Sequence, residues 1–379
     1  MNPELMTRYP AIADLAARAR TRIPFFAWEY LDSGTGLDQG AQRNRDAMAN
    51  VMLTPQFMKG FIKPDLSTEL FGQRYNLPFG VAPVGLTGLM WPGAEKILAR
   101  TAAKYRIPYG LSTVATETPE TIGPIAEGMG WFQLYPPKDP GIRRDILSRA
   151  KESGFPTLMV TADTPANSRR ERQRRAEVSV PPSQTFRTYF RAAIRPHWSI
   201  ATLSHGMPRF RTMEKYANST DIAQIGLYMT ENMGSLDWDY LEQVRAEWDG
   251  ALMLKGIMHP DDARQAVKAG VDGVHVSNHG ARQFDGGPAA IEALPAIVQA
   301  VGGDSRIVFD SGVRGGLDII RALALGADFV LLGRAFMYAV AALAERGGDH
   351  AVDLLVADME SNMVNLGCRN LAELRERLS

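Results

Sequence analysis

Cysteine is almost missing from this chain: Cys368 is the single one among 379 residues. One cysteine excludes an internal disulfide framework and any cysteine-based metal cluster. It also fits a reducing compartment such as the cytosol. Net charge is missing too, since 42 basic residues face 42 acidic ones, and nothing global points to a nucleic-acid partner. No run reaches the roughly eighteen apolar residues of a membrane span. The best candidate, 335–344, is flanked by Arg334 and Glu345. The opening MNPELMTRYP lacks a basic stretch followed by an apolar one, so no signal peptide is expected. The expected location is cytoplasmic, with peripheral attachment to the inner face of the membrane left open.

What is present is a rhythm. Residues 1–77 read as a helical extension: Leu15, Ala16, Ala19 and Ile23 recur at helical spacing, Pro24 interrupts, and a second helix runs from Phe25 to Leu31 before Ser33 and Gly34. From residue 78 onward short apolar runs alternate with amphipathic stretches. The runs are PFGVAP (78–83), PYGLST (108–113), WFQLY (131–135), TLMVTAD (157–163), ALMLKG (251–256), GVHVSN (273–278), RIVFDSG (306–312) and FVLLGR (329–334). Near-continuous apolar strands separated by helices indicate a parallel sheet buried on both faces. Eight such units predict an α/β fold, the (β/α)8 TIM barrel, over 78–379, with a doubly wound open sheet as the alternative.

The interval after the fourth run is too long for one helix. Its later part, DWDYLEQVRAEWDG, suits a barrel helix. Its earlier part, 164–219, is rich in arginine, proline and aromatics and reads as a lid or docking insertion, or else a solvated excursion.

In such a barrel, reactive side chains gather at the C-terminal ends of the strands. The ends of the eight runs carry Gly85, Ser112, Gln133 with Tyr135, Thr161 with Asp163, Lys255, Ser277 with His279 and Arg282, Asp310, and Gly333 with Arg334. A polar group or a glycine therefore reaches one rim from every strand. The glycines of DSGVRGG and GR, with Arg314 and Arg334, suit a phosphate. His279 is the candidate base, because imidazole exchanges protons near neutrality. Arg282, three residues on, suits bidentate capture of a carboxylate. His259 and His275 receive no chemical role.

VSNHGARQFD, FDSGVRGG, LLGRAF, FQLY, VTADTP, LMLKGI and EYLDSG together resemble the FMN-dependent α-hydroxy-acid dehydrogenase and oxidase family, over nearly the whole chain. The resemblance implies FMN as cofactor, with Ala82, Pro83 and Val84 as backbone contacts of the ring. It implies Ser112, Gln133, Thr161, Lys255 and Ser277 around the ring, Asp310 on the ribityl chain, and Gly312, Arg314, Gly333 and Arg334 around the phosphate. It further implies that His279 abstracts a proton from a 2-hydroxy acid while Asp163 orients the imidazole. Tyr30, Arg282 and the loop residue Arg170 would bind the carboxylate, and Tyr135 the hydroxyl. Arg169 and Arg172 compete with Arg170 for that position. No metal is implied, and the family commonly forms tetramers.

The same resemblance leans toward the bacterial L-lactate and mandelate dehydrogenase branch, with a quinone or cytochrome as acceptor. The lean rests on Gly85 in APVGLTG, on LSTVAT and GRAFMYA, and on the basic and aromatic stretch 169–215, which suits an anionic membrane surface or a soluble lid. Dioxygen is the alternative acceptor. Val114, Leu86 and Met58 are expected to line the substrate pocket, lactate being the first candidate and mandelate the second. Rival readings are an FMN-dependent isomerase, a nucleotide dehydrogenase, for which Cys368 is badly placed, and a non-catalytic flavin binder.

Overall fold

The computed structural model describes residues 1–178, 185–234 and 236–379. Eight parallel strands close into a barrel: β1 (Phe79–Val81), β2 (Tyr109–Ser112), β3 (Gly130–Leu134), β4 (Thr157–Thr161), β5 (Ala251–Ile257), β6 (Gly273–Val276), β7 (Arg306–Phe309) and β8 (Phe329–Leu332). Closure is made where β8 pairs with β1, Val330 opposite Phe79 and Leu332 opposite Val81. This is the (β/α)8 TIM barrel that the eight apolar runs predict. Strands β1, β2, β3, β4, β6 and β8 are buried at every position, because helices cover the outside and side chains fill the inside.

The helices start where side chains can satisfy free N–H groups. Asp139 caps Pro140–Glu152, and Asp237 caps Trp238–Glu247, the barrel helix expected before β5. His259 caps Pro260–Lys268: its Nδ1 accepts the Asp261 N–H at 3.2 Å, a purely structural role. The apolar run after Arg334 forms the helix Arg334–Leu343, in which every residue from Ala335 to Leu343 is buried. Helix Ile12–Arg22 lies across it, with Arg18 Nε donating to Ala342 O at 3.1 Å. The run is thus a core helix, and no helix among the described residues is long and apolar enough to cross a membrane.

The extension before the barrel is less uniformly helical than its sequence suggests. Helices Pro3–Arg8, Ile12–Arg22, Phe25–Asp32 and Gln39–Ala49 are followed by an antiparallel hairpin, Thr68–Leu70 with Gln73–Tyr75. Phe71 and Gly72, at φ 52° and 73°, supply the two left-handed residues of its turn. The hairpin plugs the N-terminal mouth of the barrel. Tyr75 packs edge-on against Phe329 at 5.4 Å and accepts the Trp131 indole N–H at 3.2 Å. The other mouth is therefore the open one.

The long interval after β4 carries helices Glu171–Arg175, Phe186–Ala193, Pro196–His205, Glu214–Ala217 and Ile222–Asn232. Residues 179–184, part of the expected insertion, lie outside the described residues.

Candidate active site at the C-terminal mouth

A polar row crosses the ends of β2, β3 and β4. Ser112 Oγ donates to Gln133 Oε1 at 2.6 Å, and Gln133 Nε2 donates to Thr161 Oγ1 at 2.8 Å. The in-register pairing of Ser112 with Gln133 produces this row, since residues opposite one another in a ladder share a face.

β5 and β6 add the charged groups. Lys255 is buried and donates to Ser277 Oγ at 2.8 Å. Its ammonium lies 3.6 Å from Asp163 Oδ2 and 3.7 Å from Asp310 Oδ2. Burial alone would depress the lysine pKa, but the two carboxylates outweigh it and hold the ammonium charged. Asp163 and Asp310 stay ionised for the reciprocal reason, each below the usual carboxylate range despite burial.

His279 Nδ1 lies 2.8 Å from Asp163 Oδ1. That contact fixes the proton on Nδ1 and leaves Nε2 as the basic nitrogen. Burial pulls the imidazole pKa below 6.5, against the opposing pull of Asp163. The neutral form, the one able to accept a proton, is thereby favoured at neutral pH.

The loop that carries His279 is strained. His279, Gly280 and Ala281 sit at φ 57°, 62° and 59°, three left-handed residues in succession. Such backbone costs about 1–3 kcal/mol per non-glycine residue and persists only where the surroundings enforce it. Here Ser311 Oγ accepts the N–H groups of Asn278 (3.3 Å) and Gly280 (3.0 Å), and Asn278 Oδ1 accepts that of Ala281 at 3.2 Å. The N-terminal extension completes the frame. Thr35 N donates to Ala281 O at 3.0 Å, and Asn44 and Asn278 exchange two amide hydrogen bonds at 2.8 and 2.9 Å. Asp285 accepts from the Leu37 and Gly40 N–H groups. Sequence reasoning missed Asn44, Asn278, Ser311 and Asp285. Asn44 stands in the helical stripe of Ala41, Ala47 and Met48 within QGAQRNRDAMA, and a polar residue in that apolar stripe was the one available signal.

Arg282 Nη1 donates to Tyr30 O at 2.8 Å and Ser33 O at 3.1 Å, and its guanidinium lies 5.2 Å from the Tyr30 ring centre. Burial, with Arg170 next, draws its pKa down to about 9. A cation held this way is short of a negative partner, which is what a carboxylate ligand supplies. Tyr30 OH donates to Gly85 O at 3.1 Å. Burial and then Asp163 push Tyr135 up to about 12, so its phenol remains a donor.

The three loop arginines separate cleanly. Arg172 bridges Glu29, Asp32 and Asp38 and is structural. The side chain of Arg169 is 82% exposed. Arg170 bonds Gln283 Oε1 at 3.1 Å and depresses the pKa values of both His279 and Arg282, so it is the one beside the site.

At the β7 and β8 end, Arg314 and Arg334 lie near enough for Arg314 to lower the Arg334 pKa, after the larger effect of burial. Two such guanidiniums, neither in an ion pair among the described residues, suit a doubly charged anion. Gly312 sits at φ 99°, where a Cβ would come within 2.9 Å of Asn44 O. The Arg334 side chain, expected at the phosphate, also has a structural role. It donates to Leu31 O, Gly280 O and Ser33 O at 3.2, 3.0 and 2.9 Å, tying the extension to the His279 loop. Ala82 is buried, and Pro83 and Val84 are half-buried beside it, with Gly333 3.7 Å from Ala82 Cβ in a trial Cβ position.

One pocket expectation fails. Met58 is 100% exposed, in a segment whose Gln56 and Lys59 approach Gly367 at the end of the last helix. The fully solvated side chain lines no pocket, and its backbone is left-handed at φ 63°. Leu86 and Val114 do meet: Leu86 N donates to Val114 O at 2.8 Å.

The polar row, the buried ammonium and the arginine pair fit a planar, electron-accepting ring with an anionic tail, which is FMN chemistry. The comparisons agree. A family described as FMN-dependent dehydrogenase matches residues 19–379. An L-lactate dehydrogenase of Ectopseudomonas mendocina (strain ymp) is 40% identical over 371 residues, 97% of this chain and 98% of that protein. The crystal structure of the monotopic membrane protein (S)-mandelate dehydrogenase superposes with a TM-score of 0.93 at 32% identity, covering 97% and 98% of the two chains. A mandelate oxidase structure gives 0.81 at 31% identity, covering 97% of each chain. Residues, architecture and relatives converge: this chain is a member of the FMN-dependent dehydrogenase family, an oxidoreductase that binds FMN.

Proposed function

We propose that this protein oxidises an L-2-hydroxy acid to the 2-oxo acid and passes the electrons to a quinone or cytochrome-type acceptor. The observation that carries the reading is the 2.8 Å His279–Asp163 contact beside a buried, carboxylate-poor Arg282. Arg282, with Tyr30 and Arg170, holds the substrate carboxylate. His279 Nε2 takes a substrate proton, and Asp163 stabilises the imidazolium that forms. Tyr135 donates to the substrate hydroxyl oxygen. Bound FMN supplies the two-electron sink. Ser112, Gln133, Thr161, Ser277 and Lys255 would surround its ring, with the backbone at Ala82, Pro83 and Val84. Asp310 would hold the ribityl chain, and Gly312, Arg314, Gly333 and the start of the helix at Arg334 the phosphate. The test is an anaerobic screen of 2-hydroxy acids for bleaching of the yellow protein. A protein that takes up FMN but is reduced by none of them sinks the reading.

Small acids are the first candidates. Gly85, Leu86 and Val114 stand together beside the Tyr30 hydroxyl, and a Cβ on Gly85 would meet Val114 Cγ2 at 2.6 Å. The relatives named for lactate and for mandelate bracket the choice, lactate first. An O2-using, peroxide-forming reaction is the second reading, favoured by the likeness to mandelate oxidase. Peroxide assay during turnover separates the two.

The acceptor reading is coupled to a membrane. Helix Phe186–Ala193 has no buried residue, yet Phe186, Tyr189 and Phe190 are 86%, 61% and 55% exposed. Arg187 and Arg191 alternate with them, and Ile200 and Leu203 extend the apolar patch along Pro196–His205. Aromatics interleaved with arginines suit the interface of an anionic bilayer. The named monotopic membrane relative supports the same reading.

A further inference from the structure

Strand β6 carries a residue that its neighbours do not explain. His275 lies in GVHV with 0% exposure, pointing into the barrel with Lys255 on one side and Val308 on the other, both in register. An apolar residue would satisfy the strand pattern there. Its Nε2 lies 3.1 Å from Asp310 Oδ2, an off-angle approach, so that neither ring nitrogen completes a hydrogen bond among the described residues. The charged groups facing it are Asp310 from the end of β7, Lys255 from β5 and Asp163 from beyond β4.

The protonation state follows from this setting. Burial disfavours the imidazolium, and Asp310 only partly restores it. A neutral imidazole can turn either a donor or a lone pair toward a carboxylate, and a lone pair would be repelled. His275 is therefore the Nε2–H tautomer, donating toward Asp310.

The position of Lys255 makes that donor consequential. The ammonium is shared almost evenly, 3.6 Å from Asp163 and 3.7 Å from Asp310. Ser311 Oγ already donates to Asp310 Oδ1 at 2.7 Å, so His275 and Lys255 share Oδ2, and an N–H directed there weakens its hold on the lysine. Without it, Asp310 Oδ2 is left to Lys255 alone and pairs more closely with the ammonium, which neutralises more of the positive field at the mouth.

We propose that His275 is a positioning residue: by donating Nε2–H to Asp310 it keeps Lys255 balanced between two carboxylates and so raises the reduction potential of the bound FMN. The inference rests on Lys255 facing the flavin ring, as in the reading above. It does not depend on which acid is the substrate.

The experiment uses FMN-loaded enzyme equilibrated with a reference dye and a chemical reductant, with no hydroxy acid present. His275→Val should shift the two-electron equilibrium at least tenfold toward the oxidised flavin, about 30 mV for a two-electron couple. His275→Gln, which retains a donor near the Nε2 position, should stay within threefold of wild type. A valine variant with full FMN content and an unshifted equilibrium overturns the proposal, as does a glutamine variant that shifts as far as valine. Should the valine variant fail to load FMN, 15N spectra of histidine-labelled wild type decide. A neutral Nε2–H signal for His275 at pH 7 supports the proposal, and an Nδ1–H or doubly protonated ring overturns it. Because reduction is chemical, a failed substrate screen and a failed potential shift remain separate results.

Discussion

Gly256 makes room for Asp163: a Cβ placed on Gly256 would lie 2.5 Å from Asp163 Cβ and 2.6 Å from its carboxyl carbon. The β5 register shifts between Lys255 and Ile257 at this point, and Gly256 sits at φ 100°. The irregularity therefore lets a strand deliver Lys255 inward while the carboxylate that orients His279 passes close by. Gly256→Ala should keep the fold and FMN but slow flavin reduction by about 10²-fold, because Asp163 must move from His279. Stopped-flow bleaching measures it, and an unchanged rate would show that Asp163 has slack.

His279→Gln removes the base while preserving a side chain of similar reach. Flavin content should be normal and the reduction rate should fall about 10²–10⁴-fold. Absorbance before and after anaerobic addition of substrate gives both numbers, and normal bleaching would remove His279 from the chemistry.

The pH dependence has a defined sign. Only neutral His279 accepts a proton, and burial places its pKa below 6.5. The rate of flavin reduction should be flat through neutrality and fall as pH drops through that lowered value. Asp163→Asn removes the group that raises the pKa, so its acid limb should move to still lower pH while the plateau rate falls. An acid limb moving upward in that variant contradicts the pairing.

Arg282→Lys keeps a positive charge but loses the planar fork and the contacts to Tyr30 O and Ser33 O. A charge-assisted hydrogen bond contributes about 1.5–3 kcal/mol. The apparent affinity for the acid should therefore weaken about tenfold to hundredfold, read from the substrate dependence of bleaching, with FMN binding unchanged.

Arg172 joins the insertion to the extension through Glu29, Asp32 and Asp38, and touches no proposed site group. Arg172→Met should destabilise the protein by about 1–3 kcal/mol and lower its thermal midpoint by a few degrees. A midpoint equal to wild type would mean that the three carboxylates are solvated at no cost.

The legible part of this molecule was the part written locally. The barrel strands are short apolar runs because both their faces are buried, and most of the site groups stand at the ends of such runs, as His279 does after GVHV, whereas Tyr30 and Arg170 come from the extension and the insertion. What the sequence did not disclose depends on long-range contact. Asn44 meets Asn278 across 234 positions, and no periodicity encodes such a pair. Arg169, Arg170 and Arg172 look alike in NSRRERQ and were sorted only by the partners they find. Met58 sat in a segment without periodicity, so nothing local marked it as the exposed residue it is. The hairpin at 68–75 was hidden because its strands are three residues each.

The ties from Arg334 to Leu31 and Ser33 span 303 and 301 positions. The segment around Leu31 and Ser33 must wait for the last barrel strand before the mouth can be assembled. A nascent or truncated polypeptide thus lacks the clamp that holds the His279 loop in its strained shape. The mouth is thus completed only when the eighth strand and the residue that follows it are in place.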